Sequence, residues 1–239
     1  VSLEKNTVLV LDLKGSLVEE SPGGLRDKVL GDLQGEVTDT VRLRDFTMAL
    51  DLAVQDKNIA RVLLKLDDFA GGGLVSLREA AIAIEKFKAS GKPVVAWSTM
   101  YDQRQYYLAA HASQVLVHPL GGVLIEGFGR SRNYYKDALD KLGIKVNLIR
   151  VGQYKSAGEP YVLNAPSEAA LKAEAHVYDA LWSVYTDGIE TARQLPKGSI
   201  ARNINELPDA LLQVKGDAAQ LSLNWKWVDG LQSFESLRN

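Results

Sequence analysis

Apolar positions along the chain switch between strand-like runs and helical spacing. Thr7-Val8-Leu9-Val10-Leu11-Asp12-Leu13 is nearly continuous and rich in β-branched residues, the pattern of a strand buried on both faces. From Ser16 to about Val41 the periodicity fades around Ser21-Pro22-Gly23-Gly24. That stretch predicts a long loop, and loops of such length are uncommon without a function or mobility of their own. Leu43, Phe46, Leu50 and Val54 then recur at helical spacing. Ala60 to Leu66 reads as a second buried strand, running into Asp67-Asp68-Phe69-Ala70-Gly71-Gly72-Gly73. A helix follows with Leu77, Ala80, Ala81, Ile84 and Phe87 on one face, a period of 3.6 rather than 2. Gly91 ends it and Pro93 opens the strand Val94-Val95-Ala96-Trp97.

The second half continues the alternation. Met100 to Ala112 is helical towards its end, Gln114 to Val117 and Val123 to Ile125 read as short strands, and Tyr134 to Leu142 is a helix stopped by Gly143. Ile144 to Arg150 alternates as a strand. Pro166-Ser167-Glu168 starts a helix that runs to about Gln194, and short helices fill the remainder. Strands alternating with helices imply an α/β fold, with a mostly parallel sheet and flanking crossover helices. No composition break divides the chain, so a single α/β domain over 1–239 is expected, with 166–239 a mostly helical carboxy-terminal part.

Composition narrows the function. The 239 residues include 28 Lys plus Arg and 30 Asp plus Glu, a formal net charge of −2, and 46% are hydrophobic. So apolar and so nearly neutral a chain is not disordered, and with no basic block its business is not nucleic acid. The absence of Cys removes disulfides, thiolate metal sites and cysteine nucleophiles together. The chain opens at Val1 without Met, signal peptide or membrane-length apolar run, and is expected to be a piece of something larger.

Few residues stand out chemically. Gly71-Gly72-Gly73 sits between a strand and a helix, where backbone N–H groups can converge on an anion or an oxyanion. A tight strand-to-helix turn is the stronger reading on context alone, and neither a Walker loop nor GxGxxG is present. His111, His118 and His176 lack metal-ligand spacing, and there is no GxSxG elbow. Structural or surface histidines account for them. Lys155 lies just after a predicted strand, among small or uncharged residues. A lysine serves as general base only when its pKa is lowered, and spacing alone leaves a solvated surface charge as the ordinary explanation.

Longer motifs add a resemblance. Arg150-Val151-Gly152-Gln153-Tyr154-Lys155-Ser156-Ala157 with Glu159-Pro160 resembles the lysine motif of the long bacterial form of signal peptide peptidase A, the serine–lysine dyad protease IV family. Phe69-Ala70-Gly71-Gly72, Ser90-Gly91-Lys92-Pro93-Val94, Gln105-Tyr106-Tyr107-Leu108-Ala109, and Gly127-Phe128 with Tyr134-Tyr135-Lys136 continue the likeness in order along the chain. The resemblance implies a crotonase-like, caseinolytic-protease-like domain of repeated β-β-α units, the first half of a tandem duplication. It implies that Lys155 is the general base, taking a proton from a serine hydroxyl and returning it to the leaving amine. That serine would come from a carboxy-terminal half. In the family's catalytic half it precedes Gly-Gly-Tyr at a helix start, and the equivalent stretch here is Asp102-Gln103-Arg104-Gln105-Tyr106. Gln103 therefore occupies a degenerate nucleophile position, and Gly71 and Gly72 a vestigial oxyanion-type nest facing it.

Further expectations come with the resemblance. These are signal peptides as substrates, a homo-oligomer, tetrameric in the full-length protein, an upstream anchor in the bacterial inner membrane with the domain on the periplasmic side, no cofactor and no metal. The isolated chain is expected to be inactive. Two alternatives stand beside this reading: a non-catalytic assembly or substrate-binding module of the same protease, and an acyl-CoA-handling crotonase-like enzyme. For the latter, no acidic residue matches the needed role.

Overall fold

The computed structural model describes residues 3–20, 39–152 and 154–238. In chain order the strands are β1 (Thr7–Asp12), β2 (Gly15–Val18), β3 (Thr40–Arg42), β4 (Ile59–Lys65), β5 (Phe69–Gly72), β6 (Val94–Ser98), β7 (Gln114–Val117) and β8 (Gly230–Leu231). The helices are α1 (Leu43–Gln55), α2 (Leu74–Lys88), α3 (Gln103–Ala109), α4 (Lys136–Lys141), α5 (Glu159–Val162), α6 (Glu168–Ala192), α7 (Ser199–Asn205), α8 (Leu207–Gln213), α9 (Ala218–Asn224) and α10 (Phe234–Arg238). The fold is α/β, with a mostly parallel sheet and flanking helices. One five-stranded sheet has the order β1-β4-β6-β7-β8, and a three-stranded sheet the order β3-β2-β5, with all their ladders parallel. Strand, strand, helix recurs most plainly in β4-β5-α2.

Position in the sheet decides burial. β4 lies between β1 and β6, and its Val62 and Leu64 are withdrawn from solvent completely. β1 is an edge strand, so Val8 and Val10 stay exposed at 42% and 50%. The apolar run there reads as doubly buried, but a run cannot show on which side the sheet stops. Leu77, Ala80, Ala81, Ile84 and Phe87 of α2 are all buried, as the helical period predicts. Helix α10 covers part of one face of the sheet: Leu63 of β4, Trp97 of β6 and Leu116 of β7 form a cluster packed by Phe234 and Leu237. There the Trp97 indole Nε1 donates to the Gln232 carbonyl at 2.8 Å.

Four expected elements change. The irregular stretch from Ser16 to Val41 carries β2 at its start and β3 at its end, strands of four and three residues that are too short to show a period. Ser21-Pro22-Gly23-Gly24 lies outside the described residues. Gly71 and Gly72 belong to β5, paired with Ser16 and Leu17 of β2, rather than to an irregular turn. Val123 makes only an isolated bridge with Tyr101, and the alternating residues 144–150 join no ladder among the described residues. An alternating pattern states a preference for extended backbone, but a strand also needs a neighbour to satisfy its N–H and C=O groups. The chain divides into two compact units, Val1–Glu126 with Tyr185–Asn239, and Gly127–Val184.

Candidate active site

The first unit builds the α3 helix start. The Asp102 Oδ1 accepts from the Arg104 and Gln105 backbone N–H groups at 2.7 and 2.8 Å, while the Gln105 Oε1 accepts from the Asp102 N–H at 2.8 Å. This reciprocal capping box satisfies donors that an α-helix leaves unpaired at its first turn. Gln105 is buried, and its Nε2 donates to the Leu66 and Phe69 carbonyls at 2.9 Å each, tying the helix start to the turn between β4 and β5. Gln103 is the first residue of α3. Its Oε1 accepts from the Glu126 N–H at 3.2 Å, and its carbonyl accepts from the Tyr185 hydroxyl at 2.7 Å. Burial pushes the Tyr185 phenol well above its ordinary value, so it remains a donor at any ordinary pH.

Gly71 has φ +80, and a Cβ there would overlap the Arg104 Cβ. A Cβ on Gly72 would lie 2.9 Å from the Leu17 carbonyl oxygen. The glycines thus permit close approach of β5 to α3 on one side and to β2 on the other. The structure brings this pair to the start of α3, where the neighbour of Gly71 is Arg104, one residue beyond Gln103.

The second unit carries Lys155. The side chain is exposed, on a loop between residues 144–151, which join no ladder among the described residues, and α5. Gly152 turns the chain with φ +111, and Gly158 lies so close to Leu148 that a Cβ there would overlap the Leu148 Cδ1. The Arg150 Nη1 donates to the Lys155 carbonyl at 3.2 Å and to the Glu159 Oε1 at 3.0 Å. The Arg132 Nη1 donates to the Ser156 carbonyl at 3.3 Å, and its Nη2 lies 3.6 Å from the Glu174 Oε1. Two guanidinium groups, each beside a carboxylate, therefore grip two consecutive carbonyls.

Glu159 is the buried centre of this network, with 1% of its side chain exposed. Its Oε1 also accepts from the Ser167 hydroxyl at 2.7 Å, and its Oε2 from the Ser167 N–H at 3.1 Å. The Ser167 hydroxyl in turn accepts from the Ala170 N–H at 3.2 Å, in the first turn of α6. The hydrogen bonds from Ser167, and then those and the charge of Arg150, hold the Glu159 carboxyl below its ordinary value against the opposing effect of burial. As a sequence neighbour, Glu159 invites pairing with Lys155, but its carboxylate is taken up by Arg150 and Ser167.

Sequence reasoning passes over Asp102, Gln105, Arg132, Arg150 and Ser167 as working residues. The Asp-x-x-Gln spacing at 102–105 is a readable helix-start signal. Nothing in the sequence joins Arg132 to Ser156, because that bond depends on how the unit folds. Among the described residues, no group of three or more His, Asp or Glu could hold a metal ion, and no helix is long and apolar enough to cross a membrane.

Comparisons with known proteins add a family. Residues 86–229 match the profile of peptidase family S49. The chain is 36% identical over 229 residues to Protease 4 of Salmonella typhi, which covers 94% of this chain and 37% of that protein. It is 33% identical over 219 residues to Protease 4 of Haemophilus influenzae, covering 91% and 36%. The chain thus spans little more than a third of the length of these relatives. Among solved structures, 1510-N membrane-bound stomatin-specific protease aligns with a TM-score of 0.49 at 15% identity, over 98% of this chain and 84% of that one. An enoyl-CoA hydratase/isomerase family protein from Silicibacter pomeroyi aligns with a TM-score of 0.33 at 14% identity, over 94% and 95%.

Proposed function

Because this chain belongs to peptidase family S49, we propose that it is the lysine-bearing part of a serine peptidase, with Lys155 as general base for a serine supplied by another part of the intact protein. The observation that carries this reading is the Lys155 loop: an exposed lysine side chain on a backbone held at two consecutive carbonyls. An exposed side chain is open to a reacting group that this chain does not supply. Gln103, at the α3 start, has an amide in place of a nucleophilic hydroxyl, and that amide is engaged with the Glu126 N–H. The greater length of the Protease 4 relatives leaves room for a carboxy-terminal half bearing the serine.

In this mechanism, the neutral Lys155 amine removes the proton from the serine hydroxyl as the oxygen attacks the scissile carbonyl. The resulting ammonium then protonates the leaving amine, and water completes hydrolysis by the same route. Gly71 and Gly72 are an oxyanion-type nest that no longer serves a nucleophile, the place of which is taken by Gln103. The substrates are cleaved signal peptides, the working protein is an oligomer anchored at the bacterial inner membrane with this domain on the periplasmic side, and the isolated chain does not hydrolyse peptides.

The test is Lys155→Ala in the intact protein. It is expected to lower kcat by about 10²- to 10⁴-fold, measured on a fluorogenic peptide spanning an apolar signal-peptide core. Activity retained by that variant would overturn the reading. It would favour the second one, a non-catalytic module for assembly or substrate binding, which the exposure of Ile149 (94%) and Val151 (81%) supports.

A further inference from the structure

Resting on the assignment of Lys155 as the base, we propose that Arg150 and Glu159 are positioning residues for it. The Arg150 guanidinium, anchored on the buried Glu159 carboxylate, holds the Lys155 carbonyl and so fixes where the lysine side chain leaves the backbone. Glu159 joins the three parts that define that place. Through Arg150 it holds the segment leading into the loop, through the same guanidinium the Lys155 peptide, and through Ser167 the first turn of α6. The neighbouring grip of Arg132 on the Ser156 carbonyl removes the remaining freedom of the peptide between residues 155 and 156.

A long, exposed lysine chain gains little order from its own surroundings, so the backbone must supply it. An ion pair containing a buried carboxylate is a poor device for stability alone, since apolar residues of similar volume often serve as well. It does give what apolar packing cannot: one charged nitrogen, the Arg150 Nη1 with its two N–H bonds, donates in fixed directions to two acceptors at once. Misplacing a reacting group by about 1 Å can cost on the order of 100-fold in rate, and that is the scale of effect the network guards against.

The experiment uses the intact protein with Glu159→Gln, Arg150→Gln, Arg150→Lys and Lys155→Ala, measuring kcat, KM and the melting temperature. Glu159→Gln keeps the shape and one of the two acceptor oxygens that Ser167 uses, but loses the charge that anchors Arg150. It is expected to lower kcat by about 10- to 100-fold, with KM held within about twofold and little change in melting. Arg150→Gln should do the same, and Arg150→Lys should recover a large part of kcat. Because the Arg150 side chain is 39% exposed, Arg150→Gln decides the matter if Glu159→Gln fails to fold. Wild-type kcat in Arg150→Gln would overturn the proposal. So would a loss that follows the melting temperature and is not restored by Arg150→Lys. If these variants leave kcat intact while Lys155→Ala abolishes it, only the positioning role falls. If Lys155→Ala is itself active, the assignment of the base falls.

Discussion

Val62, Leu64, Ile84 and Phe87 in the first unit have no exposed surface, and Tyr101 and Tyr106 are buried with them. In the second unit, the described side chains most withdrawn from solvent belong to Glu159, Pro160 and Ala170. Leu142, Ile149 and Val151 of that unit stand 73%, 94% and 81% exposed. One unit is therefore held by close packing of apolar side chains, which is non-directional and scales with area. The other is held by charged hydrogen bonds aimed at chosen backbone atoms, which are directional and local. The difference separates two kinds of sensitivity: damage to the first unit shows as lost stability, and damage to the second as lost geometry.

Three measurements would break or sharpen that contrast. Phe87→Ala removes a fully buried ring from α2 and is expected to cost about 3–5 kcal/mol in urea unfolding; a cost near zero would show that the first unit is not packed as described. Acid comes next. The Glu159 carboxyl sits below its ordinary 4.5 because Ser167, and then Arg150, favour the charged form. Its contribution to stability is complete above about 4.5, and it is lost as the pH falls through the lowered folded value. Amide exchange at Ser167, corrected for intrinsic rate, should therefore accelerate as the pH falls below about 4.5, while β4 amides stay protected. Equal acceleration in both places would erase the distinction. The smallest effect is expected from Ile149→Ser, which should change unfolding stability by no more than about 0.5 kcal/mol, because the side chain is already in water.

The same contrast governs what can be read without a structure. Helix α2 is legible residue by residue, since Leu77, Ala80, Ala81, Ile84 and Phe87 all face a core and the core imposes its period. β4, β6 and β7 are legible for the same reason. β2 and β3 are not, because strands so short leave no periodic trace, and β1 misleads because an edge strand keeps the composition of a central one. In the candidate site, the Lys155 motif stands out as a contiguous string of residues. Its support does not: Arg132 reaches Ser156 across 24 positions, and Glu159 reaches Ser167 across eight. Directional contacts between distant residues carry no pattern in the chain, only in space.

The start of α3 leaves its first residue free of the task of starting it. Asp102 and Gln105 close the capping box, Gln105 ties it to Leu66 and Phe69, and Tyr185 binds the backbone of residue 103, which every amino acid possesses. The side chain at position 103 itself accepts from the Glu126 N–H. The hydrogen-bonded cap is thus set by residues 102 and 105 and by the backbone of residue 103, so the frame that presents this side chain is built by its neighbours.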